Sequence, residues 1–460
     1  MQNAAPAENK MGVMPIPKLI LNMSLPMILS MLVQALYNVV DSFFVARFDQ
    51  AALTAVSLAF PAQNLMIGFA TGTAVGVNAL LSRALGQKDV DRANRVAENG
   101  VFLAAVGYAV FLLFGLFGVR AFFSAQTEVQ AFIDYGMDYL TIICCFSFGV
   151  FGQIMFERLM QSTGRTIYTM FTQGTGAIIN MILDPIFILG LKMGAKGAAI
   201  ATVIGQIIAF GMAVTLNHRK NDDIRLNLRA FRPDFKMIGR IYAIGVPSII
   251  MMAIGSLMTF LMNIILITYT AAAELSATVF GVYFKLNSFV FMPVFGLNNG
   301  IIPIIAYNYG AQNRRRMMQA IKMAIIYAAS YILLGLLAFM LIPGPLLRIF
   351  NASEEMLRVG IPAIRIIGST FLFAGTCIAM GSVFQALGYG VYSMIVSFAR
   401  QLVVLLPSAY ILARVGMSVG NDWLVWLSFP IAEIASLVTT LVLFSRLYNK
   451  VIKPIPEGTN

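Results

Sequence analysis

The sequence predicts an all-α polytopic membrane protein of twelve transmembrane helices, arranged as two parallel six-helix lobes around a pseudo-twofold axis along the membrane normal. Composition, the recurrence of apolar runs and an internal repeat carry this prediction. Hydrophobic residues make up 59% of the 460-residue chain and charged residues 11%, with a mean hydropathy of +0.81. So few charges cannot clothe a water-soluble surface of this size. Runs of about 20 apolar residues, the length that crosses a bilayer, recur twelve times. The repeat then pairs the runs six with six.

The spans are expected near 19–46, 53–82, 96–119, 132–157, 165–190 and 196–217 in the first half. Those of the second are expected near 237–268, 274–306, 318–343, 357–385, 391–414 and 422–446. Several exceed what a bilayer requires, so tilts or kinks are expected. Pro26 gives the first span a place to bend. Adding 224 to a first-half position often recovers the same residue: Phe60 and Phe284, Gly72 and Gly296, Gly86 and Gly310, Arg92 and Arg316, Gly164 and Gly388, Tyr168 and Tyr392. Nearer the start the offset is 221, with Pro26 on Pro247. Six spans per half is an even number, so both halves share one orientation, and a cleft between parallel bundles suits alternating access.

Lys and Arg concentrate in the segments that share a side with both termini, so the termini are expected in the cytoplasm. The domain reading is a cytoplasmic tail 1–18, a first lobe 19–217, a cytoplasmic connector 218–236, a second lobe 237–446 and a cytoplasmic tail 447–460. The net charge of +12 is spread over loops in this pattern, which argues against nucleic acid as partner. The connector "NHRKNDDIRLNLRAFRPDFK" reads as a solvated link, with contact to anionic headgroups as the sharper alternative. Cys144, Cys145 and Cys377 sit in apolar runs and read as buried thiols. A single histidine, His218, gives no support to a His-based metal site or a catalytic triad. No cleavable signal peptide is expected, because the first apolar run is long and lacks a small-residue cleavage site. An integral-membrane enzyme would need clustered histidines or an Asp-rich metal motif, so no enzymatic activity is expected.

Ionisable residues inside spans are costly and mark functional sites by default. Asp41 lies in "LYNVVDSFFVAR", with Gln34, Tyr37 and Asn38 on its helical face at spacings of seven, four and three. Asn180 and Asp184 are four apart in "NMILDP" and stack on one face of the fifth span, where Pro185 removes a backbone donor. Thr202 and Gln206 repeat the spacing in the sixth. Glu157 closes the fourth span beside Arg158. The plainer roles are helix-tying for Asp41, freezing a kink for Asp184, and a surface pair with Arg158 or Arg165 for Glu157. Lys285, Arg365, Arg400 and Glu433 are expected to tie helices or snorkel. Met and Phe are mostly filler, and some suit an adaptable cavity for bulky cations. The positions mirroring Asp41, Glu157 and Asp184 hold Met262, Gly381 and Ser408, so ion chemistry is expected in the first lobe.

The segments "LPMILSMLVQALYNVVDSFFVAR", "LSRALGQKDVDRA", "ERLMQSTGR", "NMILDPIFI" and "GIIPIIAYNYGAQNRRRM", in that order, resemble the multidrug and toxic compound extrusion (MATE) family, in its bacterial DinF-like and MepA-like branches. The resemblance covers essentially the whole chain. It implies a secondary antiporter that exports lipophilic or cationic compounds in exchange for H+ or Na+, with no cofactor, resident in the cytoplasmic membrane. A monomer is expected. The implied ion-coupling set, also the implied Na+ site, is Asp41, Asn180, Asp184 and Thr202. Tyr37 and Tyr139 would face the same cavity, and Gln34, Asn38 and Glu157 would contact substrate. Acids of the NorM-like second lobe have no evident counterparts. The alternative within transport is a flippase or exporter of a lipid-linked or metabolite substrate, which would need a strongly basic cavity.

Overall fold

A computed structural model describes residues 9–457 apart from 228, 230 and 351. The first half contains α1 (Lys10–Val13), α2 (Ile16–Phe48), α3 (Gln50–Gly86), α4 (Val90–Phe117), α5 (Val119–Ser124), α6 (Gln130–Cys145), α7 (Phe148–Ser162), α8 (Thr166–Asp184) and α9 (Gly194–Lys220). The second contains α10 (Phe235–Tyr269), α11 (Ala273–Gly310), α12 (Arg314–Leu341), α13 (Pro343–Arg348), α14 (Glu354–Gly368), α15 (Phe371–Ala386), α16 (Gly390–Phe398), α17 (Leu406–Val419) and α18 (Ser428–Leu447). Ten stretches are long and apolar enough to cross a bilayer. The pairs α6–α7 and α14–α15, bent by 45° and 49°, each add one broken span, for twelve among the described residues.

Those two breaks are sharper than run length foretells. Short polar side chains heal them: Ser147 Oγ donates to the Cys144 carbonyl (2.7 Å), and Thr370 Oγ1 donates to the Ile367 carbonyl (3.1 Å). Such local bonds make a broken helix tolerable where water is absent.

The repeat is written into the backbone. Gly164 and Gly388, 224 apart, both sit in the left-handed region, at φ +85° and +87°, and end α7 and α15 with the same pair of reverse bonds. Lys88 and Gln312 form the next equivalent pair, at φ +58° and +54°. After them Asp89 and Asn313 cap α4 and α12 by accepting from the N–H of Arg92 (2.9 Å) and Arg316 (3.0 Å).

The lobes meet where α3 packs on α10 and α2 on α11. A Cβ at Gly86 would run into the Tyr307 carbonyl, and one at Gly310 would run into the Arg83 carbonyl, a reciprocal contact about the pseudo-twofold axis. Gly72 against Gly245, and Gly300 against Ser24, continue the seam with the helix backbones nearly touching. These positions lie toward the end of the bundle where α2 and α10 begin and α3 and α11 finish. Both ends of the described residues dock there: Asn9 on the Thr163 carbonyl, and Glu457 on Arg314 at 2.6 Å. The structure is therefore closed on the face that carries Asn9 and Glu457.

The connector between the halves is docked rather than loose. Its backbone N–H groups at Arg225, Asn227 and Asp234 donate to Asn94, Glu98 and Asn99 of α4.

Candidate functional site

The first-lobe polar residues gather near the end of the bundle opposite the closed seam. Asp41 lies in the last quarter of α2, Asp184 is the final residue of α8, and Thr202 lies in the third turn of α9. At a rise of about 1.5 Å per residue, these positions share one level. Helices α8 and α9 approach closely there because both contacts are glycine: a Cβ at Gly205 would stand 2.7 Å from the Gly176 carbonyl. One turn on, Asn180 reaches both neighbours. Its amide N–H donates to Asp184 Oδ2 (2.9 Å), and its amide oxygen accepts from the Thr202 backbone N–H (3.0 Å) and hydroxyl (3.2 Å). Asn180, Asp184 and Thr202 are buried.

Asp41 arrives from α2, which packs along α8. It lies within electrostatic reach of Asp184, and both carboxylates act on Tyr37 and Tyr139. Tyr37 faces Thr202, and Tyr139 donates to Gln63 Oε1 (3.2 Å). Asp41 Oδ1 is buried without a hydrogen-bond donor. Two carboxylates in a low-dielectric site repel one another, and a proton or a cation between them relieves that repulsion. Asp184 precedes a π-helical stretch, Pro185–Gly190, where Pro185 lacks the N–H that a continuing α-helix needs. Wide turns of this kind recur at functional sites. The two carboxylates and the Tyr37 and Thr202 hydroxyls bring oxygens to the site, the ligand type hard cations take, while the Asn180 amide nitrogen faces Asp184. Among the described residues no group of three or more His, Cys, Asp and Glu side chains is close enough to hold a metal ion.

Glu157 stands apart. It lies on α7 against the first turns of α8, touching Thr172, which is twelve residues and about 18 Å along the axis from Asp184. Its carboxylate accepts from Gln153 (3.0 Å), Thr172 (2.7 Å) and Gln173 (2.8 Å). The surface pair is not what forms. Arg158 instead donates to Gln161 and, across the lobe boundary, to Asn299 (both 2.9 Å), while Arg165 pairs with Asp223 at 3.1 Å. The structure thus divides the implied site residues into a two-aspartate cluster near one end and a buried Glu157 clamp near the other. Gln34 is exposed on α2, and the side chain of Asn38 lies outside the described residues. Sequence reasoning missed Gln63, Thr172, Gln173 and Asn299. Gln153, four before Glu157, was open to it by helical spacing.

The second-lobe charges tie helices, as read. Arg400 bonds Glu433 at 2.8 Å, Arg365 donates to the Met340 carbonyl (3.2 Å), and the Lys285 ammonium lies 5.8 Å from the Phe350 ring centre. The three cysteines are free thiols; Cys144 and Cys377 are buried as expected, whereas Cys145 is only half-buried.

Twelve spans in two repeated lobes, closed at one end around a seam and carrying a two-aspartate cluster in the first lobe, define a membrane transporter. The sequence pattern of the MatE family matches residues 26–186 and 247–411, and the chain belongs to that family, whose members are transporters and not enzymes. It is 25% identical over 434 residues to the multidrug export protein MepA of Staphylococcus haemolyticus, covering 94% of each chain. It is 24% identical over 437 residues to MepA of Staphylococcus aureus, covering 94% of this chain and 95% of that one. Among solved structures, it resembles the outward-facing conformation of a multidrug resistance MATE family transporter, with a TM-score of 0.90 at 24% identity over 98% of this chain and 99% of that one. It also resembles a MATE in complex with MaL6, at the same TM-score and identity, covering 98% of this chain and 100% of that one.

Proposed function

We propose that the chain is a secondary active multidrug exporter of the cytoplasmic membrane, both termini inside, that exchanges lipophilic or cationic compounds for H+ or Na+ by alternating access. The observation that carries this reading is Asp41 within electrostatic reach of Asp184, with Asn180 bonded to Asp184 and held in turn by Thr202, at the end away from the closed seam. With the termini inside, the closed seam faces the cytoplasm and the aspartates belong to the outward half. The ionised pair attracts a cationic compound. Arrival of H+ or Na+ removes that attraction and releases the compound outward. The names of the MepA relatives support drug export. The spacing between the aspartates and Glu157 supports two stations along one path, the inner for cation capture and the outer for ion exchange. A flippase reading is disfavoured, because Arg365, Arg400 and Lys285 are engaged rather than lining a basic cavity.

Reconstituted vesicles with an imposed pH or Na+ gradient test the reading, with a fluorescent lipophilic cation as substrate. Transport should follow one gradient, and Asp41→Asn should cut gradient-driven transport at least tenfold. Undiminished transport by Asp41→Asn would sink the assignment of Asp41.

A further inference from the structure

The short segment ahead of the first span, residues 9–14, is bonded to both lobes at the closed seam. On the first-lobe side, Asn9 Nδ2 donates to the Thr163 carbonyl and to Asp223 Oδ1 (both 3.1 Å), and Arg165 holds the same Asp223. On the second-lobe side, Arg316 Nη2 donates to the carbonyls of Met11 (3.1 Å) and Met14 (2.7 Å). Asn308 Nδ2 donates to the Met11 carbonyl as well (3.3 Å), and Arg316 Nε donates to Asn308 Oδ1 (3.2 Å), which fixes the fork. The Met11 side chain is fully buried, and Gly12 lies against the Tyr307 ring, where a Cβ would come within 3.2 Å of the hydroxyl.

The local physics explains the grip. A helix of four residues leaves its last carbonyls without intrahelical partners, and a cation at that end answers both the lone pairs and the dipole. The repeat supplies an internal comparison. Arg92 occupies the equivalent position in the first lobe, after an equivalent cap, yet its guanidinium donates to Gln87 in its own turn (3.2 Å). Of the two repeated arginines, Arg316 is the one turned onto the terminal segment.

We propose that residues 9–14 form a clasp that holds the seam shut at the terminal face, with Arg316 as its second-lobe grip, and that the clasp must release whenever the cleft opens on that face. The inference rests on the alternating-access reading. A first-lobe segment bonded to second-lobe atoms cannot keep those bonds while the lobes part at that end. The clasp therefore adds its hydrogen bonds to the stability of one conformation and withholds them from the other.

The test uses the full chain with Cys144, Cys145 and Cys377 replaced by serine. In the first arm, Met11→Cys reports release through its rate of reaction with a maleimide in detergent. Labelling should be slow, and Arg316→Ala should speed it at least tenfold. Arg316→Lys, a point charge unable to fork onto two carbonyls, should give an intermediate rate, and Arg92→Ala should leave the rate unchanged. Equal rates in the Arg316 and parent proteins would overturn the clasp, as would acceleration by Arg92→Ala of the same size. In the second arm, Met11→Cys and Asn308→Cys are joined by a short, reducible bifunctional thiol reagent in proteoliposomes. Transport should fall at least tenfold and return on reduction, and full transport by the joined protein would overturn the requirement for release. If the unjoined protein moves no substrate, the transport reading fails, while the labelling arm still decides the clasp.

Discussion

Glu157 offers a perturbation whose size can be worked out from the structure. Its carboxylate is buried and takes three hydrogen bonds, at 2.7, 2.8 and 3.0 Å. Hydrogen bonds inside membrane proteins contribute about 0.6 kcal/mol on average and about 1.7 kcal/mol at most. Three of them therefore amount to roughly 2–5 kcal/mol, and an ionised acceptor moves the value toward the upper end. Glu157→Leu strands two amide N–H groups, while the Thr172 hydroxyl keeps the Thr169 carbonyl (2.9 Å), and should destabilise by about 2 kcal/mol or more. Glu157→Gln keeps the shape and one carbonyl oxygen for Thr172 and Gln153. Its new amide N–H faces Gln173, whose Oε1 is buried without a partner and becomes an acceptor when that amide rotates. Glu157→Gln should therefore cost only about 1 kcal/mol. Thermal unfolding followed with a thiol-reactive fluorophore measures this directly, because Cys144 and Cys377 are buried until the helices part. Transport of a cationic probe, measured alongside, separates the roles: Glu157→Gln should lose cation transport while staying folded. A Glu157→Leu protein as stable as Glu157→Gln would refute the clamp geometry.

Two further outcomes are expected. Gly310→Leu and Gly86→Leu each press a side chain into a facing backbone carbonyl, and should open or unfold the seam, whereas Gly281→Ala meets nothing within 4 Å and should be silent; a stable, transporting Gly310→Leu would contradict the reciprocal contact. Burial, and then the neighbouring Arg165, hold Lys10 below the usual lysine range. The folded clasp thus sheds this proton before the unfolded segment does, and its docking should strengthen as pH rises toward 10.5. Lys10→Gln should remove that dependence, as read by hydrogen exchange of residues 9–14 after correction for the intrinsic rate.

Span number and the repeat were legible because each rests on a pattern local to the chain: apolar run length, and glycines held at one offset. The breaks in the fourth and tenth spans were not, since Phe146–Ser147 and Ser369–Thr370 sit inside runs that are apolar enough to continue. What decides there is packing, with hydroxyls ready to bond the freed carbonyls. The two-aspartate cluster was half legible. Spacing of four stacks Asn180 on Asp184, but nothing in the sequence turns the Asn180 amide toward Thr202. The partners of Glu157 needed α7 and α8 brought together, and Arg158 found Asn299 in the other lobe, a contact that no one-dimensional pattern encodes.

The unequal use of equivalent positions bears on how the transporter divides its labour. The mirror of Asp41 is Met262, fully buried as apolar filler, so the fold requires no acid at that level. The mirror of Asp184 is Ser408, whose hydroxyl donates to the carbonyls of Val404 (2.6 Å) and Leu405 (3.0 Å) in the second π-helical stretch, Ala399–Leu405. There, a serine heals its own helix. In the first lobe the residue at the edge of the π-helical stretch accepts instead from Asn180, one turn back on the same helix, whose amide oxygen reaches Thr202 on the next helix. A polar group spent on its own backbone is locally satisfied and chemically inert, whereas one held by neighbouring helices changes its environment when those helices shift. The same division separates Arg92, bonded within its turn, from Arg316, bonded across the seam. The lobes thus use repeated positions unequally: the first links Asp184 through Asn180 to Thr202 on the next helix, and the second turns Arg316 across the seam.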